Sequence, residues 1–405
     1  MNIPEEVKEI IQTLNINGHE AYIVGGCVRD KILSKAPKDW DITTSALPEQ
    51  IKSCFSHTVD TGIEHGTVTV IINKNNFEVT TYRIDGDYGD NRHPDSVKFT
   101  SDITEDLSRR DFTMNAIAYD ITNDTYIDPF NGHCDIKNKI IRAVGDADTR
   151  FNEDALRMMR AIRFSAQLGF DIEEKTYLAI KKNFLLIKNI SIERIRDEFL
   201  KLILSDVPEK AVLLCDTSLI DHFLPELKEV FLAESELIKY SFDKLEKSIA
   251  LRIAFLFRKF DDKAVSLILK RMRFDNNTIK EAATAVKFYD YPLKEGYYET
   301  RKVLSMIGVK SFKAVLNIRF LENAFNKDLI ECKKLDNIYD EIDDIIKRND
   351  CFELKDLCIN GEDIKKNIDG ANGRVIGEYL KKALDIVMKD PTKNEKNILI
   401  EELKR

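Results

Sequence analysis

The sequence predicts an α+β head at the start of the chain, followed by a long all-α region. Up to residue 132, short runs rich in valine, isoleucine and threonine alternate with amphipathic stretches, which is typical of strands mixed with helices. From residue 152 onward, charged and apolar residues recur at helical spacing and glycine is scarce until residue 361. We therefore expect a mixed sheet of about five strands with helices. We expect an elongated helical remainder after it, with domains at 1–145 (head), 146–205 (neck), 206–290 (body) and 291–405 (tail).

Length and composition limit the class of protein. The 405 residues, 33% charged and 43% hydrophobic, fit a globular protein of two to four domains or one elongated multi-part chain. An apolar run of about 18 residues is absent, and the start MNIPEEVKEI lacks the features of a signal peptide, so we expect a cytoplasmic protein. Seven scattered cysteines without a CxxC pair predict reduced thiols. The net charge of -8 argues against a uniformly basic nucleic-acid binder but allows a local basic groove.

The stretch at 21–44 is the most informative part of the head. An apolar run at 22–24 meets a glycine pair, which predicts a buried strand that ends in a tight turn. Asp39 and Asp41 then lie on a second strand, where side chains two apart share a face at about 7 Å. Two such carboxylates favour a cation, and Mg²⁺ fits because it shares oxygen ligands with substrate phosphates. A surface turn flanked by two acids is the alternative interpretation.

Helices and a hairpin complete the first half of the head. Residues 4–17 have a helical pattern, and a second short helix begins at Pro48. The runs at 66–72 and 77–84 predict two strands joined by a turn. Glu78 would lie on the second of these strands, where it either faces solvent or supplies a third carboxylate to the metal site.

The second half of the head contains a long segment without periodicity. Residues 85–105 are rich in glycine, aspartate and asparagine, and a loop of this length inside a compact domain is usually functional. We expect it to act as a lid near the site. The segments at 109–120 and 125–132 then predict the last β elements.

The stretch EDALRMMRAIRFSA at 153–166 predicts an amphipathic helix with an unusual polar face. Its apolar face would hold Ala155, Met159, Ile162 and Ala166, with Glu153, Arg157 and Arg160 opposite and Asp154 and Arg163 at the edges. One interpretation is a solvated ridge of ion pairs.

The alternative is that this helix recognises a nucleobase. Asp154 and Arg157, one helical turn apart, would accept from an amino group and donate to a ring nitrogen. Cytosine and adenine both present these two groups side by side, whereas uracil and guanine would leave the pair unsatisfied. Such a pair could select C and A without a template.

Five motifs in order carry a resemblance to a known family. They are GGCVRD, KDWDITT, RRDFTMNAIA, EDALRMMRAIRF and SIERIRDE, and they cover residues 20–205. Together they resemble the class II tRNA nucleotidyltransferase and poly(A) polymerase family, whose head is of the polymerase-β-like nucleotidyltransferase type. The stretch at 359–387 is similar to the tail of bacterial CCA-adding enzymes, which in the family grips the acceptor and T arms of tRNA.

The resemblance implies roles for the matching residues. Asp39 and Asp41 would be catalytic and would bind Mg²⁺. The nucleotide would be bound by Gly26 and Arg29 at its triphosphate, Arg110 and Asn115 at phosphate and ribose, Asp154 and Arg157 at the base, and Arg160 and Arg163 beside them. Residues 85–105 match the family's flexible loop, 128–132 its hinge motif, and 191–198 a segment that steadies the neck helices.

The implied activity is addition of CCA to the 3′ end of tRNA from CTP and ATP with release of pyrophosphate. The implied partners are tRNA and these nucleotides, with no membrane and no protein partner. CC-adding members of the family lack part of the flexible loop, and the uninterrupted RIDGDYGDNRHPDSV here favours full CCA addition. An A-adding or CC-adding enzyme and a poly(A) polymerase remain alternatives within the family. A non-catalytic RNA-binding protein is a distant one, since it would predict a broken Asp-x-Asp or a missing Arg29.

Overall fold

The computed structural model describes residues 3–86 and 97–405, and the chain forms two compact units, Met1–Ala233 and Glu234–Arg405. The central part of the predicted lid therefore lies outside the described residues. Within the described part of the chain, no helix has the length and apolar character needed to cross a membrane. The two units do not test the predicted domains (head, neck, body and tail), which stay a prediction.

The first unit contains a mixed sheet, as predicted. Its described strands are β1 (Ala21–Val24), β2 (Asp41–Thr44), β3 (Thr58–Gly62), β4 (Thr67–Ile72), β5 (Asn75–Thr81), β6 (Arg83–Asp85), β7 (Val97–Phe99), β8 (Ala118–Asp120), β9 (Thr125–Ile127), β10 (Ile140–Ile141) and β11 (Asp171–Ile172). Seven of these described strands form one sheet in the order β3-β4-β5-β2-β1-β8-β9, in which only β2 and β5 run parallel.

The sheet has more strands than the five expected. Strand β3 was missed because it is an edge strand with three exposed residues and no apolar alternation. The predicted loop at 85–105 was too long, because β6 and β7 pair with each other at its two ends and a helix begins at Ile103.

The strand that carries Asp41 begins at Asp41, two residues later than the predicted start at Asp39. Asp41 is the first residue of β2 and pairs with Val24 at the end of β1. Asp39 precedes the strand on a bend, so the two carboxylates are not both strand residues. The glycine pair follows β1 as expected, and Gly25, at φ 82°, has the backbone conformation that glycine adopts most easily.

The described helices of the first unit surround this sheet and continue beyond it. They are α1 (Glu5–Ile16), α2 (Gly26–Ile32), α3 (Pro48–Cys54), α4 (Ile103–Ser108), α5 (Gly132–Asn138), α6 (Ala147–Glu153), α7 (Leu156–Leu168), α8 (Glu174–Asn183), α9 (Ile192–Ile203), α10 (Val212–Asp216) and α11 (Lys228–Ala233). The helices predicted at 4–17 and from Pro48 are confirmed.

The prediction of a single helix at 153–166 is wrong, because the helix is interrupted between α6 and α7. Asp154 is extended, at φ -134° and ψ 102°. Its Oδ1 accepts a hydrogen bond from the backbone N of Leu156 at 3.1 Å, and its backbone O accepts one from Arg157 at 3.0 Å. Aspartate favours this arrangement because its short side chain can replace the missing backbone acceptor at a helix start.

The polar side chains of α7 are less exposed than the interpretation as a solvated ridge predicts. Its predicted apolar face is confirmed, since all four residues assigned to it are fully buried. Arg157 and Arg163, however, are also buried, at 8% and 7% exposure. A charged side chain is rarely buried without a partner, so these arginines must be held by specific contacts.

The second unit is helical throughout its described length, as the periodicity predicts. Its helices are α12 (Ser235–Phe242), α13 (Ile249–Leu256), α14 (Asp262–Arg271), α15 (Asn276–Tyr289), α16 (Tyr297–Phe325), α17 (Leu329–Lys347), α18 (Gly361–Asn367), α19 (Gly373–Lys389) and α20 (Lys396–Lys404). Separate apolar clusters hold the α16–α17 pair and the region from Cys351 to Leu403. Arg258, fully buried, is neutralised by Glu322 and Glu234 within the same unit.

Candidate active site

An open cavity of about 500 Å³ in the first unit brings the predicted site residues together. It is lined by Gly25, Gly26, Arg29, Asp41, Arg109, Arg110, Asp111, Asn115, Asp154, Arg157, Arg160, Arg163, Phe164 and Lys201. All eight predicted nucleotide-binding residues and Asp41 belong to this lining, whereas Asp39 and Glu78 do not. Seven cationic side chains face three carboxylates, so the cavity favours an anionic ligand.

Arg29 reaches the cavity from α2 in a fixed orientation. Its Nη1 donates to Oδ1 of Asn115 at 2.8 Å, and its Nε and Nη2 donate to Oδ1 of Asp30 at 3.0 and 2.8 Å. The guanidinium carbon lies 5.1 Å from the centroid of the Phe164 ring. These contacts hold the buried guanidinium in one orientation at the cavity.

Asp111 links three elements at the floor of the cavity. Its Oδ1 accepts from Nδ2 of Asn115 at 3.0 Å, and its Oδ2 accepts from Nε and Nη2 of Arg160 at 2.9 and 2.6 Å. Burial alone would raise the pKa of this carboxyl, but the Arg160 charge and the Asn115 amide outweigh burial and lower the pKa to about 2. The carboxylate therefore stays charged and fixes both partners.

Arg110 is held in position by the fully buried carboxylate of Asp106. Its Nη2 donates to Oδ2 of Asp106 at 3.2 Å, and Arg109 donates to Oδ1 through Nε and Nη2 at 3.0 and 2.8 Å. Thr43 of β2 also donates to this carboxylate, at 3.3 Å. Burial raises the pKa of Asp106, but Arg110 and Arg109 outweigh it and leave the pKa below the usual value. Asp106 thus ties Arg110 to the strand of Asp41.

The two predicted base-reading residues both line the cavity, each with its own partners. Arg157 donates to Oε2 of Glu153 at 2.6 Å and to the backbone oxygens of Arg150 and Arg109 at 3.2 and 2.9 Å. Oδ2 of Asp154 accepts from Nη2 of Arg194 at 3.0 Å. Asp154 lies outside the helix that carries Arg157, so the predicted spacing of one helical turn does not describe their geometry.

Helix α9 reaches the same cavity wall. Besides Arg194, it carries Glu198, whose Oε2 lies 2.5 Å from Nε of Arg163. Burial lowers the pKa of Arg163 to about 10, against the opposing charge of Glu198. The guanidinium of Arg163 also stacks on the Phe164 ring, 3.7 Å from its centroid. Helix α9 therefore orients two side chains of the predicted nucleotide site.

Of the predicted metal ligands, Asp41 alone belongs to the described lining of the cavity. In the parallel pairing of β2 and β5, Asp41 is directly opposite Glu78. The pKa of Asp41 is raised because surrounding protein atoms desolvate the carboxylate and because Glu78 and Asp39 repel it, while Arg110 opposes the shift. Three acids thus contribute negative charge at one place, and oxygen donors are what Mg²⁺ prefers. Across 3–86 and 97–405, however, no group of three His, Cys, Asp or Glu residues is arranged to hold a metal ion.

Five lining residues were not predicted: Gly25, Arg109, Asp111, Phe164 and Lys201. Four of them lie inside motifs that were recognised, so their place in GGCVRD, RRDFTMN and the α7 sequence was a usable signal. Lys201 lies on α9, and its only sequence signal is its spacing of three residues from Glu198, with which it pairs at 3.3 Å. No local pattern places α9 at the cavity.

The chain matches three protein-family models. Residues 21–142 match the Poly A polymerase head domain, and residues 169–231 match the probable RNA and SrmB-binding site of polymerase A. Residues 244–403 match the putative domain 2 of tRNA nucleotidyltransferase.

Curated relatives and solved structures extend the similarity over the whole chain. A CCA-adding enzyme of Ligilactobacillus salivarius is 39% identical over 415 residues, which cover 100% of this chain and 98% of the relative. One of Lactobacillus helveticus is 44% identical over 287 residues, 69% of this chain and 70% of the relative. The crystal structure of the Bacillus stearothermophilus CCA-adding enzyme in complex with CTP has a TM-score of 0.85 at 32% identity and covers 100% of this chain and 98% of its own.

Proposed function

This chain belongs to the family of CCA-adding enzymes, and from that premise we propose that it adds C, C and A in turn to the 3′ end of tRNA. CTP and ATP are the donors, and pyrophosphate is released. The observation that carries the proposal is the single cavity that combines Asp41, a wall of arginines and the pair Asp154 and Arg157. A phosphate binder alone needs no such pair, and a base reader alone needs no Asp41.

Binding of the triphosphate falls to Arg29 and Arg110. Both guanidiniums are held by neighbouring side chains before any ligand arrives, so little orientation is lost when phosphate binds. The buried Nε of Arg110 has no hydrogen-bond partner within the described residues, which leaves a donor for a ligand oxygen. Preorganised cations of this kind stabilise the charge that develops on the phosphates during transfer.

Selection of the base falls to Asp154 and Arg157. In the structure, the Arg157 guanidinium donates hydrogen bonds to Glu153 and to two backbone oxygens. A bound cytosine or adenine would compete with these acceptors for the guanidinium, while Arg194 keeps the Asp154 carboxylate in place. Uracil and guanine would offer donors and acceptors in the wrong order and would leave both side chains unsatisfied.

Nucleotidyltransferases of this family are in general metal-dependent, and we propose Mg²⁺ on Asp39 and Asp41. The residues present fit a hard cation, because Asp41 is desolvated beside two further acids and pairs with no cation of the described chain at ion-pair distance. When bound, the metal would lower the pKa of the attacking 3′-hydroxyl and neutralise charge on the α-phosphate. Whether Glu78 joins these two residues stays a prediction, as does the cytoplasmic location.

The proposal is tested with tRNA transcripts that end at the discriminator base, at C and at CC. Each is incubated with each of the four triphosphates and with the CTP and ATP mixture. We expect two C and then one A, with no further growth. If A is added to the CC transcript and the other two transcripts are not extended, the chain is an A-adding enzyme. Continued growth of the transcripts would make it a poly(A) polymerase.

A further inference from the structure

A second open cavity of the first unit, of about 590 Å³, has a lining unlike that of the active site. It is lined by Pro4, Lys31, Ser34, Lys35, Ala36, Pro37, Trp40 and Tyr126. Two lysines and two aromatic rings are present without a carboxylate, in a chain whose net charge is -8. The lining therefore offers positive charge and flat apolar surfaces at one place.

Both aromatic side chains are partly accessible, and ring contacts hold Tyr126 in position. Tyr126 is 39% exposed, although its ring packs against Tyr119 at 5.0 Å and edge-on against His133 at 5.7 Å between centroids. Trp40 is half-buried and lies between Asp39 and Asp41 in the chain. Rigid, partly exposed rings lose little conformational freedom when another flat group stacks on them.

The two lysines line the same cavity as these rings. The Nζ of Lys31 lies 3.0 Å from the centroid of Tyr119 and 5.5 Å from that of Tyr126. Burial lowers the pKa of Lys31, and the charge of Asp124 opposes the shift without forming an ion pair. Lys35 is exposed. Both ammonium groups therefore have donors left for a ligand.

We propose that this cavity binds an unpaired RNA nucleotide upstream of the reacting 3′ end, with its base against Trp40 and Tyr126 and its phosphate at Lys31 and Lys35. The inference rests on the proposed function. Trp40 and Asp41 are consecutive residues, but no described residue of this lining also lines the active-site cavity, so the nucleotide would belong to a part of the RNA away from the reacting end. Sites for single-stranded RNA commonly combine stacking rings with cations that contact the backbone.

Trp40 is itself the probe, because it is the one tryptophan of the sequence. A short single-stranded oligoribonucleotide ending in CC is titrated into the full chain without Mg²⁺ or triphosphate, while tryptophan fluorescence and the anisotropy of a label on the RNA are followed. We expect quenching that saturates together with the anisotropy. Tyr126→Leu should weaken binding by about 5- to 150-fold, the range for loss of one stacked base.

Lys35→Ala tests the phosphate contact at an exposed position where folding is not at risk. We expect the slope of log K against log salt to become shallower by about 0.7, the value for one phosphate of a single strand. Lys137→Ala, an exposed lysine of α5 outside this lining, is the matched control and should keep the slope of the unaltered protein.

The proposal is overturned if the RNA binds without quenching, or if Tyr126→Leu and Lys35→Ala both bind like the unaltered chain. It is also overturned if free CTP quenches equally and competes with the RNA, because the ligand is then a mononucleotide. CCA addition to tRNA is measured in parallel. Addition without quenching removes this inference alone, whereas quenching without addition removes the proposed function.

Discussion

Asp111 and Arg160 form an ion pair that fixes one wall of the active-site cavity. Because the pKa of Asp111 is lowered from about 4 to about 2, the pair stabilises the fold fully above pH 4 and progressively less as the pH falls toward 2. We expect it to contribute about 2 kcal/mol at neutral pH. Asp111→Asn should therefore unfold at lower urea than the unaltered chain at pH 7, and the difference should shrink between pH 4 and pH 3. A difference that is constant with pH would contradict the assignment.

Asp41 is the residue on which the proposed chemistry depends most. Asp41→Asn keeps the shape of the side chain but removes a charge proposed to bind the metal. We expect incorporation of CMP to fall by at least about 10²-fold, the scale of losing one transition-state contact, with unchanged affinity for tRNA. Asp60→Asn, an exposed aspartate of the edge strand β3, serves as the control for removing a charge. Retained turnover of Asp41→Asn would remove the metal assignment.

At the scale of elements, Gly132, the first residue of α5, packs closely against the turn that carries Asn115. A Cβ at this position would lie 2.1 Å from the backbone O of Thr113, and a backbone atom cannot move away as a side chain can. We expect Gly132→Ala to lower the free energy of unfolding by about 1–3 kcal/mol and to weaken CTP binding through Asn115.

The control for this substitution is Gly377→Ala. Gly377 lies within α19, where a Cβ meets open space, so alanine should leave stability unchanged or raise it by up to about 1 kcal/mol. Equal unfolding midpoints for the two variants would show that the approach of Gly132 to Thr113 does not constrain the fold.

Elements were predictable wherever apolar periodicity or a strong turn signal was present. Examples are α1, the β4–β5 hairpin and the strand before the glycine pair. In each of them a buried face requires apolar residues at a regular spacing, and that spacing is visible in the sequence. Strand β3 has no such face, and the interruption at Asp154 depends on a side chain that competes with the helix backbone. Both were missed or misread for those reasons.

The roles of the predicted site residues stay predictions, but the structure shows where those residues lie. Motif residues converge on one cavity, as the resemblance implied. Their partners could not be predicted, because pairs such as Arg160 with Asp111 and Arg194 with Asp154 form only after distant segments pack together.

At the scale of the whole molecule, the polymerase-β-like head and the helical remainder are confirmed, and the chain has relatives over its full length. The resemblance of 359–387 to the tail of bacterial CCA-adding enzymes predicts that this segment contacts the acceptor and T arms of tRNA. Arg374, exposed in α19, is a candidate for one phosphate contact. We expect Arg374→Ala to raise the KM for tRNA several-fold, to lessen its salt dependence by about 0.9 in log-log slope, and to leave the KM for CTP unchanged. Arg405→Ala, at an exposed position, is the control, and equal behaviour of the two variants would count against the contact.

The central claim is that protein side chains of one cavity select C and A without a template. The most direct test measures incorporation of each of the four triphosphates into tRNA transcripts by the unaltered chain and by Arg157→Ala. We predict that the unaltered chain uses CTP and ATP alone, and that Arg157→Ala loses about 1–3 kcal/mol of discrimination and admits UTP or GTP, since the guanidinium no longer rejects them. A variant that adds C and A more slowly by the same factor, and still excludes U and G, would contradict the claim.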